Sequence, residues 1–166
     1  PLAWCKPPHK PQKGCVAVVM TADCLPILVT NKQGNAVAAI HAGWKGLSQA
    51  IISKTINKMS VAPGELTAWI GPAISGRQFE VGQDVYDAFV QQNPTNQIFF
   101  TQRPGAEGKY FADLPAIAEL EMRNLGVKEI VKSGLCSFED SAHFYSYRRD
   151  GQTGRMAALI WIDSQD

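Results

Sequence analysis

The chain has 166 residues, of which 45% are hydrophobic and 19% charged; this length and composition suit one compact domain and exclude an extended disordered chain. Lys and Arg number 16 and Asp and Glu 15, giving a net charge of +1, which argues against a dedicated nucleic-acid-binding protein because such proteins carry a basic excess. No apolar run is long enough to span a bilayer, so no membrane partner is expected.

The N-terminal segment differs from the rest of the chain. Residues 1–14 contain four prolines, and because proline fixes φ and lacks an N–H donor, this segment predicts an irregular arm. For residues 15–166 we predict a single globular domain. No secretory signal is visible, and the four cysteines form no Cys-X-X-Cys pair, so we expect a reducing, cytoplasmic location.

The first half of the domain predicts four strands and a long helix. Val16–Met20 and Pro26–Thr30 are apolar and rich in β-branched residues, and Ala36–His41 is small and apolar, as buried strands are. Apolar residues then recur at helical spacing over Trp44–Met59, which predicts a helix. Leu66–Ile70 is the fourth strand.

The second half predicts two helices and further strands. A short helix is expected at Val85–Gln91 and a short strand at Ile98–Phe100. A clearer helix is expected at Leu114–Leu125, because Asp113 is a good N-cap and Gly126 suits the position after the helix end.

The last predicted elements are three strands. Glu129–Lys132 is one of them. Phe144–Tyr147 and Met156–Ile162 read as paired strands around the polar turn Arg148–Arg155. Strands that alternate with helices, plus this hairpin, predict an α/β (α+β) domain with a mixed β-sheet and flanking helices.

Cys24 stands in a polar break between two apolar runs. The break is typical of a turn that Asp23 caps, with Cys24 as a small buried side chain. Alternatively, Cys24 lies at a strand edge with its sulfur facing a pocket, where a thiolate would bind a metal or act as a nucleophile. The pattern leaves both readings open.

His41 ends an apolar strand just before a glycine turn and a helix start. Active sites of α/β proteins favour the carboxyl ends of strands, and the helix start with Lys45 offers N–H groups and positive charge to an anion. A core histidine with one hydrogen bond would give the same pattern. Because Cys24 and His41 end neighbouring predicted strands, they could together offer zinc a sulfur and an imidazole, although catalytic zinc usually has three protein ligands.

Aromatic and basic residues form the remaining candidates. Arg148 and Arg149 follow Tyr145 closely and could hold phosphate or stack on a base, or else form a solvated hairpin tip. Phe79 and Glu80 follow a loop that we expect to line a pocket, with Glu80 at the surface.

Several of these motifs occur together in an order typical of one family. They are Thr21-Ala22-Asp23-Cys24, His41-Ala42-Gly43-Trp44, Gly71-Pro72-Ala73-Ile74, Phe79-Glu80-Val81, and Tyr145-Ser146-Tyr147-Arg148-Arg149-Asp150 with Thr153-Gly154-Arg155. From about Gly14 onwards the chain resembles the YfiH family, also called the polyphenol oxidase, laccase-domain or peptidoglycan editing factor family.

The resemblance implies a fold and an activity. The fold is similar to the catalytic domain of cytotoxic necrotizing factors, with layered α/β structure and mixed sheets. Family members are described as copper-dependent laccases that act on polyphenols, and as zinc-containing enzymes that cleave adenosine, inosine and methylthioadenosine with phosphate and deaminate adenosine. Bacterial members are also given a role in correcting peptidoglycan precursors. The implied partners are a small nucleoside and phosphate.

The resemblance also implies site residues. Cys24 and His41 match two of three metal ligands and serve as catalytic residues. The third ligand is a histidine in an upstream Gln-Val-His-Gly-like motif that this sequence lacks, so the chain resembles an N-terminally truncated member. The residues implied for substrate binding are Lys45, Phe79, Tyr145, Arg148 and Arg149, the basic ones for phosphate and the aromatic ones for the base.

Three alternatives stand beside the zinc nucleoside enzyme. A copper polyphenol oxidase of the multicopper type needs many histidines, whereas the chain has three. A thiol hydrolase of a peptidoglycan precursor would use Cys24 as nucleophile and His41 as base. A non-enzymatic domain would bind a nucleoside or cell-wall precursor without turning it over. The oligomeric state and the role of Cys136 do not follow from the sequence.

Overall fold

The structure, a computed structural model, describes the backbone of residues 2–5 and the whole of residues 16–163. The strands are β1 (Leu2–Cys5), β2 (Val16–Thr21), β3 (Leu25–Asn31), β4 (Val37–Ala42), β5 (Leu66–Ile70), β6 (Glu80–Gly82), β7 (Phe100–Gln102), β8 (Lys109–Ala112), β9 (Glu129–Lys132) and β10 (Met156–Trp161). The α-helices are α1 (Trp44–Leu47), α2 (Ile51–Met59), α3 (Gln83–Val90), α4 (Leu114–Asn124) and α5 (Tyr147–Asp150). Two 3-10 turns lie at Pro63–Glu65 and Pro94–Phe99.

Three sheets organise the described residues. The central sheet is mixed and has the order β1-β4-β3-β5-β9, with β5 and β9 parallel and the other pairs antiparallel. Strands β2 and β10 form an antiparallel two-stranded sheet, which we call the ribbon. Strands β6, β8 and β7 form a third sheet. This architecture confirms the predicted α+β class with a mixed sheet and flanking helices.

The main core lies between one face of the central sheet and helices α2 and α4. Ile27, Val29 and Ile40 of the sheet are wholly buried there, together with Ile52 of α2. Burying one such aliphatic side chain stabilises the fold by about 1.5–3 kcal/mol. The opposite face of the sheet packs on the ribbon, where Ala17, Val19, Val37 and Ala39 form a second, smaller cluster with Leu28, Ala158 and Ile160.

Local signals predicted several elements correctly. The observed bounds of β5 and β9 are those expected from the sequence. Helix α4 begins at its predicted N-cap, because an Asp113 side-chain oxygen accepts the backbone N–H of Ala116 at 3.0 Å. Gly126 follows the helix with a φ of 100°, a conformation that favours glycine.

The long helix predicted over Trp44–Met59 is wrong in its middle. The backbone N–H groups of Gln49 and Ala50 donate to carbonyls only three residues back, which closes α1 after one turn. Ala50 then adopts a left-handed φ of 58°. Leu47 and Ile52 on either side of the break are both buried, so the apolar pattern continues although the helix does not.

The strand expected at Ile98–Phe100 begins only at its last residue. The side chain of Asn93 accepts the backbone N–H of Thr95 and opens the 3-10 turn that runs to Phe99. This local capping bond, which competes with an extended backbone, delays the start of β7.

The predicted C-terminal hairpin is also wrong. Tyr147–Asp150 form helix α5, and the first strand of the hairpin is therefore absent from the described residues. The hydroxyl of Ser146 accepts the backbone N–H of Arg149 at 3.2 Å, which is an N-cap bond. The second strand exists as β10, but its partner is β2, with Met156 opposite Thr21 and Trp161 opposite Val16.

The prediction of an irregular arm over residues 1–14 is wrong for Leu2–Cys5. Those four residues form β1 and pair antiparallel with β4; the arm's prolines lie outside that stretch. Residues 6–14 of the predicted arm, and Cys15 after it, lie outside the described residues. Within the described part, no helix is long and apolar enough to cross a membrane.

Candidate metal and substrate site

Cys24 and His41 lie at the adjacent ends of β3 and β4. Leu25 pairs with Ala42 and Pro26 with His41, so Cys24 comes opposite Gly43 at the end of the pair. A Cβ atom built on Gly43 would lie 2.8 Å from the Cys24 sulfur, which is too close for a real side chain. The prediction that these two strand ends are neighbours is confirmed, and the glycine keeps the space beside the sulfur open.

The pKa of the Cys24 thiol is raised above its ordinary value. Burial is the main cause, and the negative charge of Asp23 adds to it, while the positive charge of Arg155 acts in the opposite direction. A buried thiol beside a carboxylate stays protonated at neutral pH in the metal-free protein. Cys24 is therefore a poor nucleophile at neutral pH in the metal-free protein, and it becomes a ligand when a metal ion displaces that proton.

The pKa of His41 is lowered below its ordinary value. Burial is the largest cause, and neighbouring positive charge, including that of Arg155, acts in the same direction. The half-buried imidazole is therefore neutral at pH 7 and keeps a free lone pair. Neutral imidazole is the form that binds a transition-metal ion.

The Asp23 side chain joins two distant segments of the chain to the strand end that carries Cys24. Its side chain is buried, with the residue 7% exposed, and one oxygen accepts the Ser137 hydroxyl at 2.7 Å. The other oxygen accepts the backbone N–H of Arg148, also at 2.7 Å. Asp23 also has a left-handed φ of 85°. Sequence reasoning gave Asp23 only a turn-capping role, because its partners lie more than 100 residues away.

The guanidinium groups of α5 hold the loops around the site. Arg148 lies over the ring of Phe79, 5.0 Å from its centroid, and donates to the Glu80 carbonyl at 2.7 Å. The structure thus brings together two predicted substrate-binding residues, Phe79 and Arg148. A cation over an aromatic face contributes about 0.5–1 kcal/mol at an exposed position.

Arg149 is engaged through every guanidinium nitrogen. Its donors reach the carbonyl oxygens of Ser137, Phe138 and Phe144 and both carboxylate oxygens of Asp150, all within 3.0 Å. The backbone carbonyl contacts tie α5 to the two loops that precede it. Arg149 consequently has a structural role whether or not it also contacts a substrate.

Tyr145, Arg155 and Lys45 complete the surroundings. Tyr145 is 52% exposed, and a Cβ on Gly154 would lie 2.8 Å from its ring, so the ring packs on the glycine that precedes Arg155. Arg155 is close enough to influence both Cys24 and His41; it belongs to a quoted motif, but sequence reasoning did not select it. Lys45 lies over the Trp44 ring, 5.5 Å from its centroid, on a helix of one turn.

The contacts of Cys136 give it a structural role. It is buried, pairs with Ala73 in an isolated bridge, and its sulfur accepts the backbone N–H of Ser75 at 3.3 Å. The thiol thus holds the loop after β5 against the segment before α5.

The types of ligand present here suit zinc, but there are fewer of them than a catalytic zinc site usually has. A cysteine sulfur and a neutral histidine nitrogen are both common zinc ligands, and a catalytic site usually has three protein ligands. Among residues 16–163, whose side chains the structure describes, no group of three or more His, Cys, Asp and Glu side chains is arranged to hold a metal. The described residues therefore offer two ligands, Cys24 and His41.

A cavity of about 350 Å³ lies beside the strand ends. Its walls are mostly apolar and include Pro26, the cross-strand partner of His41, as well as Trp69, Phe144 and Met156. A pocket of this volume lies within the range of small-molecule sites.

The fold and the Cys24–His41 pair together define a mixed α+β protein with a candidate metal centre. Residues 10–163 match the family model described as "Multi-copper polyphenol oxidoreductase laccase". The chain belongs to this family, which is the YfiH family that the sequence motifs indicated.

Named relatives and solved structures agree with that assignment. A Haemophilus influenzae protein named purine nucleoside phosphorylase is 45% identical over 148 residues, which cover 89% of this chain and 61% of the relative. Purine nucleoside phosphorylase YfiH of Escherichia coli is 42% identical and is covered to 60%. A crystal structure from Neisseria meningitidis has 48% identity and a TM-score of 0.86 over 90% of this chain and 61% of its own. YlmD from Geobacillus stearothermophilus has 30% identity and a TM-score of 0.81 over 93% of this chain and 59% of its own. The chain thus spans about three fifths of the length of the relatives it matches.

Proposed function

We propose that this chain carries the Cys24–His41 part of a zinc-dependent purine nucleoside phosphorylase. The main support is the 45% identity to a protein of that name across 89% of this chain. The proposed substrates are adenosine, inosine or methylthioadenosine together with phosphate. Deamination of adenosine is part of the same proposal. We expect a cytoplasmic location, where a nucleoside and phosphate are both present.

Cys24 and His41 are the residues that would hold the zinc ion. The lowered pKa of His41 keeps its imidazole neutral, and Gly43 leaves space beside the Cys24 sulfur. A bound zinc ion supplies a Lewis acid, which stabilises negative charge that develops during a reaction. Because the described residues offer two ligands, a third has to come from outside them.

Phosphorolysis determines which chemical groups are needed around Cys24 and His41. An oxygen of phosphate attacks C1′ of the ribose, the C1′–N9 bond breaks, and the purine leaves with the bonding electrons and takes up a proton. Guanidinium groups suit a phosphate dianion because they are permanently charged and donate in pairs. Arg148 and Arg149 are the residues predicted to bind phosphate. We add Arg155, whose positive charge acts to lower the pKa of both Cys24 and His41.

The aromatic residues are proposed to bind the base. Tyr145 is half-exposed and rests on Gly154 beside Arg155, which suits a ring that stacks on a purine. Phe79 carries Arg148 on one face, so its contribution would be made together with that guanidinium. Lys45 remains a predicted phosphate contact from the start of α1.

Copper oxidation of polyphenols is the second candidate, and the family description favours it. A multicopper site is rich in histidine, whereas the described residues contain His41 and His143. His143 is exposed and pairs with Asp140 at 2.9 Å. One copper ion on the Cys24–His41 pair is the form of this alternative that the donors allow.

The raised pKa of Cys24 makes the third candidate, a thiol hydrolase, less favourable. A nucleophilic cysteine needs a lowered pKa or a base within hydrogen-bond reach. Burial and Asp23 act against the thiolate. Alkylation that abolishes activity in metal-free protein would revive this alternative.

Metal analysis of the purified chain is the first test. We expect about one zinc ion per chain, lost in Cys24→Ala and in His41→Ala and retained in the control Cys136→Ala, whose thiol is structural. Copper in that amount would favour the oxidase. No metal in any of the proteins would contradict a metal site built by this chain alone.

Product analysis then tests the reaction. Adenosine, inosine and methylthioadenosine are incubated with the zinc-loaded chain, with and without phosphate, and the free bases are separated and quantified. Release of base that requires phosphate supports phosphorolysis, and conversion of adenosine to inosine supports deamination. Zinc-loaded protein that produces neither would overturn the proposed activity for this chain.

A further inference from the structure

A second cavity lies on the helical side of the central sheet. Its volume is about 320 Å³, and its walls come from the end of α1, the start of α2, the end of α3, the 3-10 turn Pro94–Phe99 and the second half of α4. Such a volume lies within the range of small-molecule sites. Among the described residues, it shares no wall with the cavity beside the strand ends of Cys24 and His41. The two cavities are therefore separate sites.

Glu121 of α4 brings the one charged side chain that the described residues place on the wall of this cavity. Its Oε1 accepts both the backbone N–H of Ser53, at 3.1 Å, and the Ser53 hydroxyl, at 2.7 Å. These bonds fix the carboxylate at the start of α2, where the N-cap residue Ala50 supplies no side-chain cap. Its Oε2 accepts no hydrogen bond from the described part of the chain and is not sealed from solvent. Because a carboxylate accepts through both oxygens, Oε2 is available to a ligand.

Asn96 supplies a second open acceptor on the same wall. The residue is only 6% exposed, and its amide nitrogen donates to the Phe89 carbonyl at 3.2 Å. Its amide oxygen accepts no hydrogen bond from any residue within 16–163. A polar atom that burial leaves without a partner costs free energy, and a donor inside the cavity would restore the missing bond. Asn96 thus points to a ligand independently of Glu121.

The open atoms and the walls together define the chemistry of the ligand. Both open atoms are acceptors, so the ligand must bring N–H or O–H donors, and the carboxylate favours a donor that is a cation. An anion is disfavoured, because the start of α2, which would attract one, already holds Glu121. Leu47, Phe89 and Ile117 also line the cavity and are at most 3% exposed, so the rest of the ligand must be hydrocarbon. A primary ammonium on a short aliphatic chain has these properties, with three donors on a compact charge.

We propose that the cavity between α2, α4 and the 3-10 turn Pro94–Phe99 binds a small aliphatic amine. The ammonium group contacts Oε2 of Glu121, and the hydrocarbon chain packs on the apolar wall. A second amino group, where the ligand has one, donates to the amide oxygen of Asn96, so a diamine suits the site better than a monoamine. The proposal uses none of the residues assigned to zinc, nucleoside or phosphate and does not depend on the activity proposed above.

A titration with 1,4-diaminobutane tests the site, and butane-1,4-diol, which has a similar shape and no charge, is the comparison ligand. Backbone amide shifts in NMR spectra at low salt measure the affinity and locate the contact. We expect saturable 1:1 binding of the diamine with a Kd of about 1 mM or tighter, with the largest shifts around Ser53, Asn96 and Glu121. The diol should bind at least about tenfold more weakly, because it brings no charge to the carboxylate. Shifts that do not saturate by about 10 mM diamine, shifts centred on another surface, or equal affinity for the diol would overturn the proposal.

Glu121→Gln tests the role of the carboxylate. The amide oxygen of glutamine can still accept the bonds from Ser53, so the fold should be retained, which thermal unfolding verifies. Loss of the charge should weaken diamine binding about tenfold or more. Glu119→Gln is the matched control, because Glu119 lies on the same helix and does not line the cavity. Equal weakening by the two substitutions would show that only the overall charge of the chain matters and would overturn the proposal.

Gln92→Lys tests the site without removing any of its contacts. Gln92 is exposed and lines the cavity, whereas its neighbour Gln91 is also exposed and does not line it. A lysine at position 92 places a positive charge at the rim and should weaken diamine binding severalfold, since like charges repel. Gln91→Lys adds the same charge to the chain and should leave the affinity closer to that of the wild type. Equal affinity in these two variants would contradict an ammonium site in this cavity.

Discussion

The backbone N–H of Arg148 donates to the Asp23 carboxylate at 2.7 Å although the two residues are 125 positions apart. The same carboxylate accepts the hydroxyl of Ser137. One buried side chain thus places the start of α5 and the segment after Cys136 against the strand end that carries Cys24. The relative positions of the sulfur and the guanidinium groups depend on this carboxylate.

Replacement of Asp23 by alanine should destabilise the protein substantially. It leaves the Ser137 hydroxyl and the Arg148 N–H without their acceptor, which costs about 1–3 kcal/mol for each buried group, and alanine is disfavoured at a φ of 85°. Asp23→Asn should lose less, because asparagine tolerates that φ and keeps an acceptor. Urea unfolding measures both variants. Asp140→Ala, which removes a more exposed carboxylate paired with His143, is the control and should change stability by less than about 1 kcal/mol; an equal loss at both positions would refute the role of Asp23.

The thiol of Cys24 should react slowly with iodoacetamide at neutral pH in metal-free protein. Burial and Asp23 raise its pKa, so the reactive thiolate becomes abundant only above the ordinary cysteine value of about 8.5. Peptide mass spectrometry follows Cys24 separately from the other cysteines over a pH series. Asp23→Asn should move the profile to lower pH, since it removes a negative charge. A Cys24 that reacts fully at pH 7, as fast as a small free thiol, would contradict this prediction.

Stability should fall as the pH is lowered below about 6.5, the ordinary value for histidine, partly because of His41. Its pKa is lower in the folded chain than in the unfolded chain, so the unfolded chain binds the proton first. This contribution to stability is complete above the unfolded value and is lost as the pH falls through the folded value. His41→Asn should flatten the pH dependence of the free energy of unfolding between pH 7 and the folded value. His143→Asn is the control for losing an imidazole, and an identical slope in wild type and His41→Asn would refute the prediction.

Alanine at position 43 should disturb the candidate metal site. Its Cβ would lie 2.8 Å from the Cys24 sulfur, so the sulfur or the strand end must move. Overpacking of this kind costs about 1–3 kcal/mol, and we expect a lower zinc content as well. Gly64→Ala is a close control, since a Cβ there meets nothing within 4 Å. Equal zinc content and equal stability in the two variants would show that Gly43 does not shape the site.

Arg149→Lys should lower the melting temperature more than Arg77→Lys. A lysine cannot reproduce the simultaneous bonds to the carbonyls of Ser137, Phe138 and Phe144. Arg77 has an 82% exposed side chain and a 3.6 Å ion pair with Glu139, which contributes little. Thermal unfolding followed by circular dichroism makes the comparison. Equal melting temperatures would mean that the Arg149 contacts add nothing to stability.

Local chemistry explains which parts of the fold the sequence could predict. The bounds of β5 and β9 follow from short apolar runs between turn residues, and α4 follows from Asp113 and Gly126 at its ends. The break at Ala50 carries no such signal, because it lies inside an unbroken apolar period. The helix at Tyr147–Asp150 has a local signal in its N-cap Ser146, but the backbone N–H of Arg148 also binds the Asp23 carboxylate far away in the chain.

The same division holds for the candidate site. Cys24 and His41 could be placed at neighbouring strand ends, because Cys24 precedes one recognisable strand, His41 ends the next, and the two strands are consecutive. The roles of Asp23 and Arg155 could not be predicted, because a buried carboxylate and a nearby cation are recognised by their partners in space. The number of metal ligands could not be predicted either, because it depends on residues that the fold brings together.

Pairing of β2 with β10 has a consequence for synthesis on the ribosome. Trp161 must leave the exit tunnel before it can pair with Val16. The hydrogen bonds of the Asp23 carboxylate likewise cannot form until Ser137 and Arg148 have been synthesised. Contacts between residues so far apart slow folding, and the nascent chain exposes its early strands in the meantime. The surroundings of the Cys24 thiol that depend on Asp23 therefore cannot form until Arg148 has been synthesised.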